Sequence, residues 1–127
     1  MKKLYIKYYS SNMRDAKDRS IVIEKWQGCA GQAWGANQPL AADLSLQSEK
    51  GMPRWALTPE IEEMTKELKV IVSVPLRHPE KTSKVVGVLN VDSKEKDATY
   101  LLDDPYLDKI KATALIITRM LDILEQI

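Results

Sequence analysis

Two apolar stretches in the second half of the chain limit its possible folds more than any other feature. Residues 70–76 read Val-Ile-Val-Ser-Val-Pro-Leu, and residues 85–92 read Val-Val-Gly-Val-Leu-Asn-Val-Asp. Both are rich in β-branched residues and predict strands. Because the first stretch is hydrophobic on both faces, we expect it to be the buried central strand of a sheet. The second is also largely apolar on both faces, and the polar segment 77–83 predicts a hairpin between them.

Shorter patterns predict the other elements of the first half. Alternating side chains at 4–9 and 20–26 indicate two strands joined by a long connection. A short helix is expected at 32–34, with Gly35 as its C-terminal cap, followed by an extended stretch at 40–46. Hairpin-joined strands with helices packed on them define an α+β domain with a mainly antiparallel sheet.

Two longer helices are predicted in the second half. One begins at Thr58-Pro59, and the other begins at Asp104, the expected N-cap, with Pro105 after it. The last helix has apolar residues at the 3-4-3-4-3 spacing of a heptad seam. Such a seam can pack on its own sheet and still offer a strip to a second copy. The predicted dimer-interface residues are Leu107, Ile110, Ala114, Ile117, Leu121 and Leu124.

Composition excludes several classes of protein. The 127 residues suit a single domain, and 19 basic against 18 acidic residues give a formal net charge of +1. That balance argues against a dedicated nucleic-acid surface. One cysteine and one histidine are too few for an internal disulfide or a cysteine-rich zinc site. No apolar run is long enough to span a membrane, so we expect a reducing, cytoplasmic location.

Three features of the sequence have both a functional and a structural interpretation. Cys29 precedes a helix start that can activate a thiol, although a lone cysteine is more often a small buried residue. Gly28 and Gly31 could let backbone amides bind an anion, or could simply permit a tight turn. His78, the only histidine, lies in the predicted hairpin loop and is expected at the surface.

Several short motifs together resemble those of GAF domains. Residues 28–34 (Gly-Cys-Ala-Gly-Gln-Ala-Trp) are similar to the family's G-x-x-G-x-A turn and helix, and Gln-Pro at 38–39 and Ala-Asp-Leu at 42–44 follow it. Residues 73–76 (Ser-Val-Pro-Leu) resemble a Ser-x-Pro-Leu/Ile strand end. Residues 86–93 (Val-Gly-Val-Leu-Asn-Val-Asp-Ser) resemble the family's G-V-L-x-x-D/S strand.

The resemblance extends over residues 20–127 and implies a GAF-like, profilin-like fold. In that fold helices cover both faces of an antiparallel sheet, with a ligand pocket on one face and the terminal helices on the other, often in a dimer. It implies a non-enzymatic sensory or regulatory domain of a signalling protein. The family's N-terminal helix and first strand have no counterpart here, so we expect residues 1–127 to form a single GAF-like domain that is truncated at its N-terminus.

The pocket predicted from this resemblance combines apolar walls with polar groups that fix a small molecule. Tryptophans would supply the walls, although such residues are often simply core. One alternative function is a dimerisation module with a vestigial pocket. Another is a Cys29-dependent redox enzyme similar to the free methionine sulfoxide reductases, which use several cysteines. The sequence names neither the ligand nor a cofactor. The predicted ligand-binding residues are Trp34, Asp43, Leu44, Trp55, Ser73 and Asn90.

Overall fold

The computed structural model describes residues 2–11, 21–44 and 66–127. The predicted helix at Thr58 and the predicted pocket residue Trp55 lie outside these ranges. The strands are β1 (Lys3–Tyr5), β2 (Val22–Glu24), β3 (Leu40–Asp43), β4 (Val70–Arg77) and β5 (Val85–Ser93), and the helices are α1 (Gly28–Ala36), a 3-10 helix (Ala98–Leu102) and α2 (Asp104–Glu125).

The described strands form two antiparallel sheets rather than one. Strands β3, β4 and β5 make a three-stranded sheet in that order, and β1 pairs with β2 in a separate sheet. In the smaller sheet Leu4 lies opposite Ile23. Each strand of this pair has three residues, fewer than the alternation predicted. The α+β class with antiparallel pairing is confirmed.

Strand β4 is the centre of the larger sheet, as predicted from its apolar sequence. Val70, Val72 and Ser73 are almost completely buried. Strand β5 lies at the edge, and most of its side chains are only half-buried. Within the described ranges no strand pairs with the outer side of β5. Strand β4 is more buried than β5 because β4 has a neighbouring strand on each side, whereas β5 has one on one side only.

The two helices cover opposite faces of β4. Side chains alternate between the faces of a strand, and Val72, Val74 and Leu76 form a core cluster with Ile110 and Ala114 of α2. Helix α1 also packs on β4 and contacts β3 and β5. The odd-numbered β4 residues, which include Ser73, therefore face α1.

Helix α1 begins at Gly28, four residues before the predicted start, and the caps of both helices differ from the prediction by one or two residues. Helix α1 is ended by Asn37 in the left-handed conformation (φ 51°), whose backbone N–H lies against the carbonyls of Ala33 and Trp34. Gly35 lies inside the helix, so its assignment as the cap is wrong. The N-cap of α2 is Asp103 rather than Asp104.

The heptad seam of α2 packs mainly inside the chain. Ile110 and Ala114 are core residues, and Leu107, Ile117 and Leu121 pack against the same cluster. Leu124 differs, because it is 70% exposed. Five of the six predicted interface residues thus contact the chain's own core.

Candidate functional site

Ser73 and Asn90 form a polar pair on the sheet face that α1 partly covers. They lie directly opposite each other on β4 and β5, so their side chains share one face. The Ser73 hydroxyl donates a hydrogen bond of 2.6 Å to Asn90 Oδ1. Ser73 is fully buried, whereas Asn90 is exposed. The structure therefore joins two of the predicted pocket residues at the edge of the covered area.

The glycines at the start of helix α1 allow the turn that follows β2 to pack closely against the helix. A Cβ on Gly31 would lie 2.5 Å from the Glu24 carbonyl oxygen, so only glycine allows this close approach. Gly28 has a left-handed backbone (φ 65°) at the turn into the helix. The Gly31 N–H donates to the Gln27 carbonyl, so this amide already has a partner within the chain. These contacts support the structural interpretation of the glycine pair.

Cys29 lies beside the polar pair, in surroundings that keep its thiol protonated. The Sγ atom is 3.6 Å from the Leu40 carbonyl oxygen, to which it donates a hydrogen bond. Burial raises the pKa of the thiol from 9.0 to about 11, and hydrogen bonding from Ser73 opposes part of the rise. A catalytic cysteine needs the opposite environment, one that stabilises a thiolate. The structure therefore favours a structural role for Cys29.

His78 contacts the hairpin loop and the end of the chain. Its Nδ1 accepts hydrogen bonds from the backbone N–H groups of Glu80 and Lys81, each at 3.1 Å. Because Nδ1 is an acceptor, the ring proton of the neutral side chain is on Nε2, which lies 3.1 Å from the Ile127 carbonyl oxygen. These partners give His78 an architectural role, linking the hairpin to Ile127, two residues beyond the end of α2.

Trp34 and Asp43 have surroundings different from those of the polar pair. Trp34 is only 8% exposed, and the Lys25 ammonium lies 5.9 Å from its ring centroid. Asp43 lies opposite Val70, so its side chain is on the other face of the sheet from Ser73.

Leu44 belongs to a small hydrophobic cluster beside the larger sheet. It is buried with Ala42 and Leu68, and Ile71 packs against them. This cluster supports the end of β3, and its ligand-binding role stays a prediction.

A polar contact that the sequence did not predict joins α1 to the end of β4. Arg77 donates two hydrogen bonds to Asn37, from Nε to Oδ1 at 2.7 Å and from Nη2 to the carbonyl oxygen at 2.6 Å. Asn37 Nδ2 donates in turn to the Thr82 carbonyl oxygen at 3.1 Å. An asparagine two residues before Pro39 was the available signal, since asparagine tolerates the left-handed conformation.

Trp26 is a second residue whose role the sequence does not reveal. Its backbone is left-handed (φ 71°), which is unusual for a bulky residue. A Cβ on Gly35 would lie 2.4 Å from the indole ring, so the ring packs directly on the helix backbone. The ring is nevertheless half exposed. This packing explains why a glycine occurs within α1.

Neither a metal-binding cluster nor a membrane-spanning helix occurs in the described part of the chain. Residues 2–11, 21–44 and 66–127 contain no group of three or more His, Cys, Asp or Glu side chains that could hold a metal ion. None of the helices in these ranges has the length and apolarity needed to cross a membrane.

Comparison with known proteins gives few matches. No family model matches the sequence, and no curated protein matches it. Among solved structures, the chain is similar to a Staphylococcus aureus NreA protein mutated in its nitrate binding site, with 23% identity and a TM-score of 0.39. The match covers 59% of this chain and 50% of the NreA chain. A likeness of this extent identifies neither a fold family nor a ligand.

Proposed function

We propose that the chain is a GAF-like regulatory domain of a signalling protein and that it binds a small molecule beside Ser73 and Asn90. The order of the GAF-like motifs along the sequence supports this proposal, together with the antiparallel α+β arrangement. The ligand-binding roles of the other predicted pocket residues stay predictions; these residues are Trp34, Asp43, Leu44 and Trp55.

The proposal depends chiefly on the side-chain amide of Asn90. Its oxygen is held by the buried Ser73 hydroxyl, which fixes the plane of the amide. Within the described part of the chain, the Nδ2 group has no hydrogen-bond partner. An amide held by its oxygen presents two N–H donors in a fixed direction. A donor oriented in this way can bind an oxygen acceptor with little further loss of conformational entropy.

The neighbours of Asn90 define the class of molecule that would fit. Val88 and Pro75 lie opposite each other on the same sheet face, one alternating position from Asn90 and Ser73. This places an apolar surface next to the amide donors. Binding sites commonly combine apolar walls with a few polar groups that fix orientation. We infer a small molecule with an oxygen acceptor beside an apolar part.

Native mass spectrometry of wild-type protein and Asn90→Asp tests this function. The substitution keeps the oxygen that accepts from Ser73 but replaces the Nδ2 donors with a second acceptor. The matched control is Gln38→Glu, which makes the same chemical change at an exposed position. We expect a small-molecule adduct on wild type and Gln38→Glu, with occupancy at least about fivefold lower in Asn90→Asp, since one lost hydrogen bond costs about 1 kcal/mol.

Titration with added probes provides the complementary measurement. Acetate, nitrate and acetamide each supply an oxygen acceptor, and chemical shifts of the Asn90 side-chain amide report their binding. Saturable shifts of the Asn90 side-chain amide in wild type, together with backbone-amide shifts at position 90 that are lost in Asn90→Asp, would support the site. Equal adducts on all three proteins, or no adduct and no shift at Asn90, would contradict it.

A further inference from the structure

Residues 2–9 form an exposed segment in which tyrosines and lysines are interleaved. The segment reads Lys-Lys-Leu-Tyr-Ile-Lys-Tyr-Tyr and contains no acidic residue. Every side chain in it except that of Leu4 is exposed, and Tyr5 and Tyr8 are 67% and 65% exposed. Large aromatic side chains contribute most when they are buried in a core or in a contact. A run of exposed tyrosines therefore indicates an interaction surface.

The end of α2 extends this surface with aliphatic side chains. The Tyr8 hydroxyl and the Lys7 ammonium both contact the Glu125 carboxylate, so the segment lies beside the last turn of the helix. Two aliphatic residues in that turn, Ile123 and Leu124, are 78% and 70% exposed. The combined surface, called the tyrosine–lysine surface below, consists of residues 2–9, Ile123 and Leu124.

Positive charge is in excess on and around this surface. Lys25 follows β2 and lies at the same end of the β1–β2 pair as the first two lysines of the segment. Together these four lysines face two glutamates, Glu24 and Glu125, each of which already contacts one of the lysines. Farther back along α2, Arg119 and Asp122 balance each other. The excess of two positive charges exceeds the formal net charge of the whole chain, which is +1.

We propose that the tyrosine–lysine surface docks onto an anionic phospholipid bilayer as a peripheral contact. Tyrosine suits the boundary between headgroups and acyl chains, because its ring is apolar and its hydroxyl is polar. Lysine can place its ammonium among lipid phosphates while its aliphatic stem lies along apolar surface. Exposed aliphatic side chains such as Ile6 and Ile123 can enter the acyl boundary beneath them.

The layered character of the surface favours a bilayer over a protein partner. Aliphatic, aromatic and cationic side chains are mixed along one exposed segment, so the matching partner is apolar below a negatively charged boundary. An anionic bilayer has this arrangement and needs no detailed complementarity of shape.

The charge excess sets the expected strength and salt dependence of the contact. Each lysine close to an anionic lipid surface strengthens binding about fivefold, so an excess of two charges contributes roughly thirtyfold. Salt screens exposed charges, so binding should weaken as the ionic strength rises. The contact is therefore expected to be reversible.

Cosedimentation of the whole chain with vesicles tests the proposal. The vesicles contain phosphatidylcholine alone, or phosphatidylcholine with about one-third phosphatidylserine. We expect wild type to bind the anionic vesicles at least about tenfold more tightly than the neutral ones, because only the former attract the lysines.

A pair of double variants assigns the binding to this surface. Lys2→Gln with Lys3→Gln removes two positive charges and one exposed ion pair, that of Lys3 with Glu24. The matched control, Lys94→Gln with Lys96→Gln, makes the same charge change and also removes one exposed ion pair, to Glu67. We expect the first double variant to bind anionic vesicles at least about tenfold more weakly than wild type, and the control to stay within about twofold of wild type.

A third variant tests the aromatic contribution. Tyr5→Thr keeps a residue that favours β1 and removes the ring, so it should weaken binding to anionic vesicles at least about fivefold. Tyr5 is exposed, and the variant is therefore expected to fold. Wild-type affinity in Tyr5→Thr would overturn the placement of the tyrosines at the lipid boundary.

The remaining outcomes are equally decisive. Wild type that binds neither kind of vesicle at about 5 mM lipid would overturn the proposal, as would equal binding by the two double variants. Binding to single-stranded DNA but not to vesicles would assign the surface to nucleic acid instead. Asn90→Asp leaves this surface intact and should leave vesicle binding unchanged, so this proposal and the one for the ligand site can fail separately.

Discussion

The Cys29 thiol lies between α1 and β3, where burial disfavours its charged form. The pKa is raised from 9.0 to about 11. A thiol whose pKa is higher in the folded state than in the unfolded state favours unfolding at any pH where the unfolded chain has ionised it and the folded chain has not. Below pH 9 both states are protonated and the folded structure is unaffected. Between pH 9 and 11 the unfolded chain ionises first, so stability falls as the pH rises.

We therefore predict a pH-dependent difference between wild type and Cys29→Ala. Relative to the variant, wild type should lose about 2–3 kcal/mol of unfolding free energy between pH 9 and pH 11, because two pKa units correspond to roughly that amount. Urea denaturation across this range measures the difference. All other titrating groups are present in both proteins and cancel. A difference that stays constant from pH 8 to pH 11 would show that the thiol ionises normally in the folded chain.

At the scale of elements, Asn37 combines two stabilising functions at the end of α1. Its left-handed backbone (φ 51°) ends the helix, and its side chain bonds to both Arg77 and Thr82. Asn37→Gly keeps the backbone conformation and loses the side-chain bonds. Asn37→Ala loses the bonds and must also place a Cβ in the left-handed region. The two substitutions therefore separate the contribution of the side-chain hydrogen bonds from that of the left-handed backbone conformation.

We expect Asn37→Gly to lower the free energy of unfolding by about 1 kcal/mol and Asn37→Ala by about 2–3 kcal/mol. Denaturant unfolding followed by far-ultraviolet circular dichroism provides both values. Arg77 keeps its hydrogen bond to the Asn37 carbonyl in both variants, so this bond does not contribute to the difference between them. Equal losses in the two variants would mean that backbone conformation contributes nothing at this position.

The elements differ in how well the sequence predicts them. The stretch 70–76 predicts β4 to within one residue, because a long apolar run has few alternative structures. Gly35 was a wrong prediction for the cap of α1, because its lack of a side chain serves the distant Trp26 ring instead. Local patterns do not reveal a contact of that kind.

In the candidate site, too, local sequence patterns predict the residues of the polar pair but not the contact between them. Ser73 and Asn90 were both predicted, but the hydrogen bond between them depends on strand register. A shift in register between Leu76 and Arg77 helps to set that pairing, and alternation of side chains does not predict it.

At the scale of the whole molecule, the sequence leaves the orientation of α2 undetermined. Its heptad seam packs on the core as the spacing predicts, yet residues 114–124 also carry apolar side chains on the side away from the sheet. The side of α2 that carries Ile110 and Ala114 packs on the sheet, and the opposite side of the helix is exposed. The choice depends on the shape of β4 and β5, which is a property of the assembled fold. Periodicity therefore identifies the stripe of α2 that is buried, but not that its opposite side is also apolar and exposed.

The two ends of the described chain are joined by a contact whose strength can be measured spectroscopically. Glu125, the last residue of α2, accepts a hydrogen bond from the Tyr8 hydroxyl, and the Lys7 ammonium contacts the same Oε1 atom. The hydrogen bond to Glu125 raises the pKa of Tyr8 above 10.0. A carboxylate favours the protonated phenol because ionised tyrosine would repel it and could no longer donate.

We predict that Glu125→Gln lowers the pKa of Tyr8 toward 10.0, since glutamine still accepts the hydrogen bond but carries no charge. Glu125→Ala, which removes the acceptor as well, should lower it further. Absorbance of tyrosinate during an alkaline titration measures the change in one of the five tyrosines. In a Tyr8→Phe background neither substitution should move the remaining curve, which assigns the signal to Tyr8. If Glu125→Gln leaves the Tyr8 titration unchanged, the Tyr8 hydroxyl is not held against the end of α2 in solution.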